Sequence, residues 1–170
     1  MSHAPASTSA PSPSPANFIE ENLAKLGLAL PKVAPAAANY VPYVLSGSQV
    51  FIAGQIPFLN GEKMHMGRLG ENLDIEQGKK AAEACALNIL AQLHHALGGD
   101  WARLVKCVKL GGFVNATPSF DQHPAVINGA SDLLVAVLGD LGKHARFAVG
   151  ASNLPFGVAV EIDAIFEIKV

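Results

Sequence analysis

From Val158 to Val170 apolar and polar side chains alternate, so that Val158, Val160, Ile162, Ala164, Phe166, Ile168 and Val170 share one face of an extended strand. Glu161, Asp163, Glu167 and Lys169 share the other. The apolar face is read as core. His144 to Ala151 reads as a second strand, separated from the first by Asn153-Leu154-Pro155 and Phe156-Gly157, residue types that end strands and make turns. Two strands around a turn would bring Arg146 and Glu161 together.

Two stretches carry the helical period instead. Asp74 followed by Gln77 has the form of a capping box, and Ile75, Ala82, Cys85, Ile89, Leu93 and Leu97 form one stripe ending at Gly98-Gly99. A second helix is predicted over Pro124 to Leu141, with a broad stripe from Val126 to Leu141 and Gly142 as its stop. Tyr40 to Leu45 and Val50 to Gly54, around Ser46-Gly47-Ser48, read as a hairpin, and Asn60-Gly61 as a short turn within a loop from Pro57 to Leu73. Leu104 to Val114 is rich in strand formers, but its alternation is too imperfect to name one buried face, which suits a strand covered on both sides. Near the start, Asn17 can cap a short helix docked by Phe18, Leu23 and Leu26 and stopped by Gly27. The order β-β-α-β-α-β-β predicts an α+β fold, a mixed β-sheet with two α-helices packed on one face. Its other face still requires cover.

With 170 residues, half of them apolar, the chain suits one domain with a sizeable core. Residues 1–16, rich in Ser, Pro and Ala, read as a disordered tail, 17–38 as the N-terminal helix and a connector, and 39–170 as the folded domain. A formal charge of -2 and no Lys/Arg-rich run argue against a nucleic-acid partner. Residues 1–16 lack a basic and an apolar signal region, and no run of about 18 apolar residues occurs, so the expectation is a soluble cytoplasmic protein with no membrane partner. Cys85 and Cys107 sit among apolar neighbours and read as small buried hydrophobes. The six histidines give no metal spacing, Gly111-Gly112 is not a phosphate loop, and no cofactor is implied.

His144-Ala-Arg146, Asn153-Leu-Pro155 and Val160-Glu-Ile-Asp-Ala-Ile165, with Gly54-Gln-Ile-Pro57 upstream, resemble the signature of the RidA (YjgF) reactive-intermediate imine/enamine deaminase family, also labelled endoribonuclease L-PSP. The resemblance runs from about Asn39 to Val170. It implies a RidA/chorismate-mutase-like homotrimer whose subunits pack sheet to sheet, with ligand clefts between neighbours. Arg146 would then clamp a substrate carboxylate, for which a planar guanidinium fork is suited. Glu161 would steer and activate a water, Asp163 being the weaker candidate. Tyr40 and Asn128 match substrate-binding positions that line the family's cleft, and Gly54 either lets backbone approach a bound substrate or makes a turn or bulge. The chain departs from the pattern at Phe147 and Ala148, which bears on substrate range. A hydrolase converting short-chain 2-imino acids to 2-keto acids and ammonia is the leading reading. The alternatives are a non-catalytic binding module for a small carboxylate metabolite and an endoribonuclease, the latter opposed by the acidic charge balance.

Overall fold

The computed structural model of the chain describes residues 15–33 and 39–170; most of the expected tail and part of the connector, residues 1–14 and 34–38, lie outside the described residues. The described elements are α1 (Pro15–Lys25), β1 (Tyr43–Ser46), β2 (Gln49–Gln55), β3 (Phe58–Leu59), β4 (Glu62–Lys63), α2 (Ile75–Ala96), β5 (Leu104–Asn115), α3 (His123–Leu138), β6 (Ala145–Ala151) and β7 (Val160–Ile168). Five strands form a mixed sheet in the order β1-β2-β7-β5-β6, in which only β5 and β6 run parallel. α2 and α3 cover one face and pack on each other, giving the α+β architecture that the patterning predicts.

Local chemistry sets the element ends. Asp74 accepts from the Gln77 amide at 2.8 Å while the Gln77 side chain accepts from the Asp74 amide at 3.0 Å, closing the expected capping box at the start of α2. The β3–β4 hairpin turns on Asn60 and Gly61, both at positive φ, as that residue pair favours. α3 carries Pro124 in its first turn and ends at Gly139, with φ +60, rather than at Gly142; residues 139–142 form a tighter 3-10 turn. α1 begins at Pro15, which places Asn17 inside the helix rather than at its N-cap position. It docks through Ile19 and Leu23, one turn apart, whereas Leu26 falls beyond the helix end and is 46% exposed.

The irregular pattern of β5 has a local cause within the chain. Register shifts against β7 between Leu104 and Lys106 and between Cys107 and Lys109 mark β-bulges, and each resets the alternation. With the bulges included, Leu104, Cys107, Leu110 and Val114 point into the core, while Phe113 lies on the open face at 42% exposure. By composition His123–Gly142 is long and apolar enough to cross a membrane. Val126, Ile127, Ala130, Leu134, Val137 and Leu138 are instead fully buried in the domain core.

The strand pairing also corrects the expectation that β6 and β7 are neighbours. β6 follows β5 through α3 as a parallel crossover, and β5 stands between β6 and β7. The helices approach closely where a Cβ on Gly129 of α3 would collide with the Lys79 carbonyl oxygen of α2. Backbone cannot yield as a flexible side chain does, so Gly129→Ala should cost about 2 kcal/mol through overpacking. The expected loss in Tm is about 4–8 °C by calorimetry; an unchanged Tm would show that the helix contact gives way freely.

Candidate functional site

In the parallel ladder Arg146 pairs with Leu110, a core-facing residue, so its side chain leaves the edge strand on the helix-covered side. There Nη1 donates to Asn128 Oδ1 at 2.8 Å and to Ser131 Oγ at 3.1 Å. Asn128 and Ser131 are three apart on α3 and therefore share a helix face. Ser131 Oγ lies 3.0 Å from His144 Nε2, and His144 Nδ1 lies 2.6 Å from the Gly142 carbonyl oxygen. Among the described residues no carboxylate lies within ion-pair distance of Arg146, and its Nη2 and Nε make no hydrogen bond. One edge of the fork is anchored on neutral oxygens and the other has no hydrogen-bond partner among the described residues.

Glu161 belongs to the opposite face. Along β7, Val160, Ile162, Ala164, Phe166 and Ile168 are buried, which turns Glu161, Asp163 and Glu167 outward. The Glu161 carboxyl lies over Gly54, where a Cβ would collide with Oε1, so the absence of a side chain on β2 makes room for the acid. Burial of the half-buried group raises its pKa above the ordinary carboxylate value, and the nearby Asp163 charge adds to the rise. Asp163 is exposed over Gly111 beside the Phe147 ring, and the register puts Phe147 on the face away from Arg146. Ala148 packs against the core on Arg146's side.

Tyr40 and Gly54 line one cavity of about 760 Å³ between β2 and α2, together with Gln55, Asn88, Phe58 and Phe156. Phe156 holds a positive φ of 58°, uncommon for a bulky residue, and its ring lies 5.8 Å from that of Phe58. The structure thus groups Arg146 with Asn128, and Glu161 with Gly54 beside the Tyr40 cavity. It does not bring Arg146 and Glu161 together within one chain, because the sheet lies between their side chains. Sequence reasoning missed Ser131 and His144. The i,i+3 spacing from Asn128 and the place of His144 in the His-Ala-Arg motif were the available signals. Both cysteines are free and buried; burial raises the Cys85 thiol and pushes Cys107 up to about 12, which leaves them packing residues rather than nucleophiles. Among the described residues no three His, Cys, Asp or Glu side chains gather as a metal site.

The model of a family described as "YjgF/chorismate mutase-like, putative endoribonuclease" matches residues 20–165. The chain belongs to the RidA/YjgF family. It is 47% identical over 152 residues to protein TCP17 of Trypanosoma cruzi, covering 89% of this chain and 94% of that protein. The crystal structure of Atu1372 from Agrobacterium tumefaciens, a protein of unknown function, is 45% identical with a TM-score of 0.85, covering 91% and 95% of the two chains. RidA from an Antarctic Psychrobacter is 31% identical with a TM-score of 0.56, covering 81% of this chain and 94% of that one. This RidA/YjgF chain thus overlays Atu1372 far better than it overlays that RidA.

The raised pKa of Glu161 has a stability consequence. The folded state takes up this proton more readily than the unfolded state, so the contribution is fully present at low pH and lost as pH rises through the folded pKa. At neutral pH the folded chain therefore holds an unfavourable charge. Glu161→Gln should raise Tm at neutral pH, and the gap over the parent should close below about pH 4. Thermal melts across pH decide this; a Glu161→Gln protein less stable at neutral pH would refute the account of this carboxyl.

Proposed function

We propose that this protein is a hydrolytic deaminase of short-chain 2-imino or enamine acids, acting as a cytoplasmic homotrimer with its site shared between subunits. The observation that carries the reading is Arg146: a guanidinium held by Asn128 and Ser131, with no carboxylate partner of its own among the described residues. Such a half-satisfied, geometrically fixed fork suits a ligand carboxylate, and its neutral anchors leave the full charge for that ligand.

Arg146 would bind the substrate carboxylate, while Glu161 of the adjacent subunit would hold a water against the imine carbon. The carboxylate accepts a proton from the water as the C–O bond forms and passes it to nitrogen; the second water proton follows from the resulting hydroxyl to nitrogen by the same route as the C–N bond breaks and the C=O bond forms. One imino acid and one water give one 2-keto acid and one ammonia. A carboxyl with a raised pKa suits this two-way proton transfer. Assembly supplies the missing juxtaposition, because the open sheet face exposes Phe51 and Phe113 beside the charges and Arg146 lies on the sheet's edge strand.

The opposite-face placement of Arg146 and Glu161 also favours a second reading, in which the Arg146 half binds a small carboxylate without turning it over. Saturable binding of a 2-keto acid with no acceleration of 2-iminopropionate hydrolysis over buffer would select it. An endoribonuclease draws no support from the charge balance, a formal net charge of -2 with no Lys/Arg-rich run in the sequence.

Arg146→Lys tests the clamp. A single ammonium cannot reach Asn128, Ser131 and both ligand oxygens, so kcat/KM for 2-iminopropionate should fall by on the order of 10-fold to 100-fold, with Tm nearly unchanged. Undiminished kcat/KM together with a lowered Tm would make Arg146 a structural residue and remove the basis for the clamp.

A further inference from the structure

We infer that His144 is a positioning residue for Arg146: as a neutral imidazole accepting the Ser131 hydroxyl proton at Nε2, it turns the Ser131 oxygen toward the guanidinium and fixes the fork's free edge. The inference rests on the carboxylate clamp proposed above, and it adds regulation by pH to that site.

The hydrogen-bond directions leave little freedom. The Gly142 carbonyl can only accept, so His144 Nδ1 carries the ring proton and donates it across 2.6 Å. Nε2 of the neutral ring then presents a lone pair, and Ser131 donates its single hydroxyl proton there across 3.0 Å. The Ser131 oxygen keeps its lone pairs for Arg146 Nη1 at 3.1 Å. Asn128 cannot set the fork's direction alone, since one hydrogen bond leaves the guanidinium free to swing about it, whereas two anchors three residues apart on α3 fix the plane.

Protonation of His144 reverses this arrangement. An imidazolium donates at Nε2, so the Ser131 hydroxyl proton must turn away, and two cations stand two hydrogen bonds apart. Among the described residues no carboxylate lies within ion-pair distance of His144, and Asp132, next to Ser131 on α3, is exposed. α3 presents uncharged Asn128 and Ser131; in the adjoining turn Asp140 and Lys143 form their own ion pair at 2.7 Å. On β5, Lys109 lies over Phe147 on the opposite sheet face, and Leu110 is apolar. The charge bearing on His144 is Arg146 itself. Burial holds the imidazole's pKa below its ordinary value, the Arg146 charge acts in the same direction, and the bond to Gly142 opposes both. The relay is therefore intact at neutral pH and breaks on acidification.

Two readouts test this. By 15N NMR of the whole protein, His144 should carry its proton on Nδ1 at neutral pH, and Arg146→Ala should raise its pKa by removing the adjacent cation. In titrations with pyruvate, the parent should lose on the order of 10-fold in affinity between about pH 8 and the acidic pH at which NMR shows His144 protonated. His144→Gln, which keeps an acceptor near Nε2 but does not titrate, should bind with a flat pH profile, and His144→Ala should bind weakly at both values. An Nε2-protonated ring, or the same pH dependence in the parent and His144→Gln, overturns the inference. Pyruvate failing to bind at any pH, with the NMR results as expected, would overturn the clamp and leave the His144–Arg146 coupling standing.

Discussion

The alternation along β7 constrains the whole molecule. Val160, Ile162, Ala164, Phe166 and Ile168 must face the helices, because β7 is the middle strand of the sheet and its even-numbered face is the centre of the core. That placement commits Glu161 and Asp163 to the other face, over Gly54 and Gly111, which accommodate them by having no side chain. A slip of one residue would bury carboxylates against α2 and expose Phe166. Position of the acid is thus a by-product of core formation, and its raised pKa follows from where the core puts it.

Arg146 is fixed by a different logic. Its strand pairs parallel to β5 after a helical crossover, and Leu110 beside it marks the helix-covered side. The guanidinium emerges at the sheet edge and meets α3, which supplies neutral oxygens and no counter-charge. Acid and base of the family motif are therefore separated by the thickness of the sheet in one chain. Joining them needs a second subunit, and the apolar, partly charged open face gives such a subunit something to cover.

Much of the fold was legible because it rests on local chemistry. The Asp74–Gln77 box, the Asn60-Gly61 turn and the two helical stripes are each set by neighbours within a few residues, and they appear where the sequence places them. Features that depend on pairing between distant segments were not legible. The bulges of β5 disguised its buried face, since each adds a residue without any mark in composition. The motif pointed to Arg146 and Glu161, but only strand order decides their faces, and adjacency in sequence suggested the wrong neighbour for β6. Ser131 and His144 stayed hidden because a serine within a helix and a histidine at a strand edge usually face solvent; their roles arise from each other and from Arg146.

The central claim is that one subunit supplies the guanidinium and the next the carboxylate, and mixing two inactive chains tests it most directly. Arg146→Ala and Glu161→Ala proteins, unfolded together in equal amounts and refolded, should give mixed trimers in which about a quarter of the sites carry both native groups. Each site draws its arginine from one subunit and its glutamate from a neighbour, each native with a chance of about one half. The account predicts roughly a quarter of native 2-iminopropionate turnover from the mixture and almost none from either variant alone. Mixed assemblies that form in the same proportions yet stay inactive would contradict the shared site.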